Sequence, residues 1–179
     1  MPLVCALTGA LACDSHSADP NHADVLLVGT NDEALAQLLG MPAKQDPAQT
    51  LVFDAPTDGD LLSEVPTFAW HLPDTTLAPT APGAPRSTWQ WSDLLVTPAH
   101  AHGITVQGKA YLLVVASADN TKLLRVFTHA VSYRPDTAAW ARVTAGGGPR
   151  TATLTLGKFE NGELTGGAFA GKPVTFQVK

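Results

Sequence analysis

The sequence predicts an all-β fold, an antiparallel β-sandwich of seven to eight short strands with one short N-terminal helix. Three observations carry this reading. From residue 50 onward the apolar residues recur with period two in several short runs. Turn chemistry built on 15 glycines and 14 prolines punctuates those runs at roughly even spacing. No long helical pattern lies between them.

The elements follow in order. Val25-Leu26-Leu27-Val28 leads into Thr30-Asn31-Asp32-Glu33-Ala34-Leu35-Ala36-Gln37-Leu38-Leu39-Gly40. Thr30 or Asn31 suits an N-cap, Asp32 and Glu33 suit the positive end of a helix dipole, and Gly40 suits a left-handed stop. The spacing predicts a helix over 31–39 with Leu35, Leu38 and Leu39 packed inward. Residues 41–49 read as linker. Thr50 to Phe53 is a short strand, and Asp54 to Asp60 is turn chemistry. Pro66 to Leu72 alternates and places Phe68, Trp70 and Leu72 on one face. Four prolines between residues 73 and 87 mark a surface loop. Ala110 to Ala116, AYLLVVA, is apolar on both faces, as a central strand is. Asp119-Asn120 makes a tight turn into the paired strand Leu123 to Val131. Thr144 to Pro149 reads as a glycine-rich loop, and Thr151 to Leu156 alternates cleanly. Asn161-Gly162 signals a hairpin, and Pro173 to Val178 closes the chain as a last strand.

Composition excludes several classes of function. The 11 basic residues against 16 acidic ones are scattered, with a net charge of −5. Nucleic-acid binding rests on a basic patch, and none is present. The chain has two cysteines, Cys5 and Cys13. From residue 14 onward there is therefore no disulfide, no cysteine-based zinc site and no cysteine nucleophile.

Residues 1–13 read MPLVCALTGALAC, an apolar run closed by Leu11-Ala12-Cys13 and followed at once by a polar stretch. That is the outline of a bacterial lipoprotein signal, cleaved before a cysteine that then carries lipid. It predicts an exported protein held in the cell envelope, at the periplasmic face or the cell surface, by a lipid on Cys13. No Lys or Arg precedes the apolar run, as it would if the true gene start lay upstream. The alternative is an apolar N-terminal strand in which Cys5 and Cys13 are core thiols or a disulfide. The run is too short to span a bilayer, which takes about 20 apolar residues. The organisation is then a signal segment over 1–12, a tether and short helix over 13–49, and a β-sandwich over 50–179 with an inserted loop over 73–103.

Three segments carry a family resemblance: DAPTDGDLLSEVPTFAW (54–70), AYLLVVASADN (110–120) and RVFTHAVSYRPDTAAWARV (125–143). Their order resembles a bacterial fibronectin type III or immunoglobulin-like module, in which the last segment enters the later strands. The whole chain resembles surface lipoproteins of the myxobacterial type. Such motifs are packing motifs, so the resemblance implies a fold and leaves function open.

Candidate functional residues fall within the inserted loop. Trp89 and Trp91 point to one side of an extended segment and would make a stacking platform for a sugar, as for a glycan of the envelope. Core tryptophans are the competing explanation. His100 and His102 likewise share a side and would offer two ligands to one metal ion, short of the third or fourth that zinc takes. His71 and His129 lie on other strands. Asp58 and Asp60 flank Gly59 as turn chemistry. Gly146-Gly147-Gly148 precedes a proline, not a helix, so it cradles no phosphate, and no Gly-x-Ser-x-Gly occurs. The sequence therefore points to a binding or structural accessory role without a cofactor, with a carbohydrate- or metal-binding module as runner-up and a hydrolytic enzyme third.

Overall fold

A computed structural model describes residues 25–27, 29–73 and 105–179. The lipidation candidate Cys13, the tryptophans Trp89 and Trp91, and the histidines His100 and His102 lie outside the described residues.

The described residues are mostly strand, arranged as two sheets with two short helices. In chain order they are β1 (Val25–Leu26), α1 (Asp32–Leu39), β2 (Val52–Ala55), β3 (Leu61–Leu62), β4 (Phe68–His71), β5 (Gly108–Ser117), β6 (Lys122–Thr128), β7 (Ser132–Tyr133), α2 (Thr137–Thr144), β8 (Gly148–Glu160), β9 (Glu163–Ala170) and β10 (Val174–Val178). The larger sheet runs β1-β6-β5-β8-β10-β3, with β9 also paired to β8. The smaller sheet runs β2-β4-β7. The larger sheet is mixed, not purely antiparallel: β1 pairs parallel with β6, and β3 pairs parallel with β10. Both parallel partners are two-residue strands at the sheet's ends. The body β6-β5-β8-β10 is antiparallel throughout.

The central strand is the one the sequence marks. In β5, Tyr111, Leu113 and Val115 face the smaller sheet, and Ala110 and Leu112 face the other way. Burial on both faces explains its unbroken apolar run. Asn161-Gly162 makes the predicted hairpin. Both residues hold positive φ, 53° and 83°, as a primed turn requires. β9 and β10 then act as one long partner of β8, because the register continues from Thr155↔Ala170 to Val174↔Ala152. At the junction, Gly171 N–H donates to Leu154 O at 2.8 Å. A Cβ there would sit 3.0 Å from Leu51 Cβ and 3.1 Å from both Leu154 Cβ and Leu51 O. Glycine at this position lets Leu51, just before β2, cross close to the larger sheet without displacing a neighbour.

The main core lies between the sheets. Phe68, Trp70 and Leu72 are buried on one face of their strand, as the alternation predicts. Trp70 meets Tyr111 edge-on at 5.8 Å and Phe53 at 6.5 Å, and Phe68 meets Phe176 at 6.0 Å. Burying each such side chain contributes roughly 1.5–3 kcal/mol.

A second, smaller core lies on the opposite face, where Ala34, Leu35 and Leu38 of α1 cover Leu112, Phe127 and Phe159. Asn31 caps α1, accepting from Ala34 N–H at 2.8 Å. Two expectations for α1 need correction. Leu39 is 38% exposed, because it lies on the flank away from the 34-35-38 stripe. Gly40 ends the helix in a right-handed conformation, φ −71°, so its glycine freedom is not used.

Helix α2 is the element the sequence reading lacks, since the resemblance carries residues 125–143 into strands. Asp136 caps it, accepting from Ala139 N–H at 2.7 Å. Ala139, Trp140 and Val143 form its buried stripe, so Trp140 joins the core from a helix. Its carbonyl end is closed by buried Arg150, which donates from Nε to Val143 O at 2.6 Å and from Nη2 to Ala145 O at 2.9 Å. That pairing satisfies carbonyls a helix end otherwise leaves open. The glycine loop is also shorter than expected, because β8 already begins at Gly148. With the two-residue strands β1, β3 and β7 added, the described strands number ten, above the seven or eight expected.

Candidate functional site

A cleft opens where the His71 end of the smaller sheet meets the start of β5. It holds about 330 Å3 and is lined, among the described residues, by Asp54, Ala69, Trp70, His71, Leu72, Lys109, Tyr111, Val131 and Ser132. Its size falls in the usual range for small-molecule pockets, ~300–1,000 Å3.

Local structure places each group. The register of β2 against β4 slips between Phe53 and Ala55, which leaves Asp54 without a strand partner. Such an irregularity re-aims a side chain. Asp54 Oδ1 lies 2.7 Å from His71 Nδ1. A carboxylate only accepts, so Nδ1 carries the proton and Nε2 is the ring's remaining nitrogen. His71 is one residue from Trp70 and so projects to the other side of the strand, at the rim, while Trp70 forms the inner wall.

Two buried side chains of the lining carry polar groups. Trp70 is 2% exposed, and its Nε1 is buried without a hydrogen-bond partner. An indole N–H can only donate, and leaving a buried donor unpaired costs about 1–3 kcal/mol. Tyr111 stands beside it, and burial raises its hydroxyl pKa above the ordinary value of 10.0. The neutral phenol is therefore the form the cleft presents.

The other candidate groups are occupied. Asp60 accepts from Thr57 N–H and Thr57 Oγ1, both at 2.7 Å, which lowers its pKa below the ordinary carboxylate value. Asp58 accepts from Thr175 N–H at 2.8 Å. Both are turn chemistry, as the sequence indicates. His129 has one ring nitrogen 2.6 Å from Lys109 O and the other 2.8 Å from Gly29 O. Its two nitrogens thus join the chain before α1 to β5. Neither His71 nor His129 belongs to a group of three metal-ligating side chains, and no such group occurs among the described residues.

A larger hollow of about 560 Å3 lies between the start of α1 and the β8–β9 turn. It is a wide, polar groove whose amides already hold the fold together. Gln37 donates to Gly162 O at 2.9 Å and accepts from Leu164 N–H at 2.9 Å. That clamp gives the groove a structural purpose.

The sequence reading did not bring Asp54 and His71 together, because their contact depends on the slipped register. Trp70 was read as core, which it is, but its unpaired N–H has no signature in sequence. No helix among the described residues is long and apolar enough to cross a membrane. No family model matches the chain, and no curated protein or solved structure matches it.

Proposed function

We propose that the chain is an exported β-sandwich protein of the cell envelope, anchored by lipid on Cys13, that works by binding a small ligand in the Trp70–His71 cleft. The observation that carries the binding reading is the cleft of about 330 Å3 itself, with Trp70 and Tyr111 in its lining and the Asp54–His71 pair at its rim. The anchor rests on the Leu11-Ala12-Cys13 ending of the N-terminal apolar run. We further propose that the core is a variant of the immunoglobulin- or fibronectin type III-like sandwich. The antiparallel β6-β5-β8-β10 body packed on the β2-β4-β7 sheet supports this, with β1 and β3 as edge additions.

Two experiments test the proposal. Cell fractionation should place the wild type with the membranes and Cys13→Ala in the soluble fraction; a soluble wild type that keeps residues 1–12 removes the anchor. Calorimetry of the purified chain with zinc, an N-acetylglucosamine oligomer and a set of small organic acids separates the binding readings. Binding that His71→Ala weakens supports the cleft. Binding of zinc lost only in His100→Ala with His102→Ala, or of the sugar lost only in Trp89→Ala with Trp91→Ala, replaces it with the metal or carbohydrate alternative.

A further inference from the structure

We propose that Asn161 is a site of spontaneous deamidation, and that the clamp from Gln37 of α1 sets how fast it reacts. This goes beyond the binding reading and does not depend on it.

Asn161-Gly162 is the chain's one Asn-Gly pair. Deamidation needs a side-chain amide beside an unhindered backbone nitrogen, and glycine, without a Cβ, hinders it least. Asn161 is exposed at the turn between β8 and β9, open to water. In the reaction the Gly162 nitrogen attacks Asn161 Cγ and closes a five-membered succinimide ring. The Cγ–Nδ2 bond breaks, and ammonia leaves with the proton that the Gly162 nitrogen gives up. Water then opens the ring at either carbonyl, leaving aspartate or isoaspartate. The sum is asparagine plus water giving the acid plus ammonia, with no oxidant or reductant.

The folded turn keeps the pair out of that geometry in two ways. Ring closure needs the Gly162 nitrogen on the same side of the Cα–C bond as Asn161 Cβ. Asn161 has φ 53°, and the left-handed well open to an L-residue there turns the next nitrogen to the opposite side. The nitrogen is also engaged, since Gly162 N–H donates to Val106 O at 2.9 Å. The turn must therefore open before Asn161 reacts.

The groups that keep it shut come from outside the hairpin. Asn161 N–H donates to Gln107 Oε1 at 2.8 Å. Gln37 donates to Gly162 O and accepts from Leu164 N–H, both at 2.9 Å. One side chain on α1 thus holds both the turn and the start of β9. Once formed, the products resist return to this state. Aspartate adds a carboxylate between Glu160 and Glu163, and isoaspartate adds a methylene to the backbone of the loop between that paired couple.

The test incubates the full chain in mildly alkaline buffer, native and in guanidinium chloride. Residue 161 is followed by peptide mass mapping, and isoaspartate by an isoaspartyl methyltransferase assay. The native wild type should convert at least about tenfold more slowly than the denatured chain, because reaction waits on local opening. Gln37→Ala removes both side-chain bonds and should raise the native rate about tenfold, the equivalent of about 1.4 kcal/mol. Its rate in denaturant should equal that of the wild type. Gly171→Ala, which strains the sheet far from this turn in the chain's register, should leave the native rate at 161 near that of the wild type. Native conversion as fast as denatured would overturn the protection, and no conversion in denaturant would remove the site. Equal acceleration by Gly171→Ala would make global unfolding the route and overturn the role of Gln37.

Discussion

Trp70 sits where core and site meet. It is among the largest fully buried side chains, and the same indole walls the cleft. Packing and function can be separated by size of effect. Trp70→Ala should cost about 3–5 kcal/mol, as large-to-small aromatic changes do, a large share of a total stability of about 5–15 kcal/mol. Urea denaturation measures it, and a cost below about 1 kcal/mol would remove Trp70 from the core. The burial of Trp70 was legible because Phe68, Trp70 and Leu72 alternate. Its partner Tyr111 was legible for the same reason, from an apolar run long enough to be central. Asp54 was not. Its role comes from an irregular register between strands 17 residues apart, and no local pattern encodes that slip.

Elements show which local signals survive folding. Asn31 and Asp136 both cap helices through the same bond to the third residue on. The first was one of the two caps expected, Thr30 or Asn31, and its helix was legible because four apolar residues follow at helical spacing. The second was missed because Tyr133 to Val143 is short and alanine-rich, and its helical stripe is only Ala139, Trp140 and Val143. Gly171 gives a sharper test of element packing. Gly171→Ala introduces a Cβ within 3.1 Å of Leu51 Cβ, Leu51 O and Leu154 Cβ. None of these atoms can swing aside, so the variant should lose about 1–3 kcal/mol, in the range for overpacked cores. An unchanged melting temperature would mean that β2 does not cross the larger sheet there.

The β5–β6 turn predicts a pH dependence. Asp119 accepts from Ser117 Oγ and from Thr121 Oγ1, and these bonds hold its pKa below the ordinary carboxylate value. A carboxyl whose folded pKa is depressed adds stability above its unfolded value of about 3.9. That stability is lost as the pH falls through the lower folded value. Asp60 behaves alike through Thr57. Chemical denaturation followed from pH 7 to pH 2 should show a decline that Asp119→Asn and Asp60→Asn each make shallower. A slope unchanged in both variants would contradict the turn geometry.

At the scale of the whole molecule, a mostly β fold was legible as a class and the edges of its sheets were not. Period two, turn residues and a doubly buried strand predict two packed sheets. A two-residue strand has too few side chains to show any period, so the parallel additions β1 and β3 left no trace in the sequence. The two faces of the larger sheet are both used, one by the smaller sheet and α2, the other by α1. The cleft opens at the end of the first of these interfaces. We propose this cleft as the place where the protein binds. Chemical-shift mapping tests it most directly: the full chain is titrated with a fragment set of sugars, amines, neutral amides and organic acids. Fragments that bind should perturb residues 69–72, Lys109, Tyr111 and Ser132 together. Binding that leaves those signals in place and perturbs another face of the molecule would contradict it.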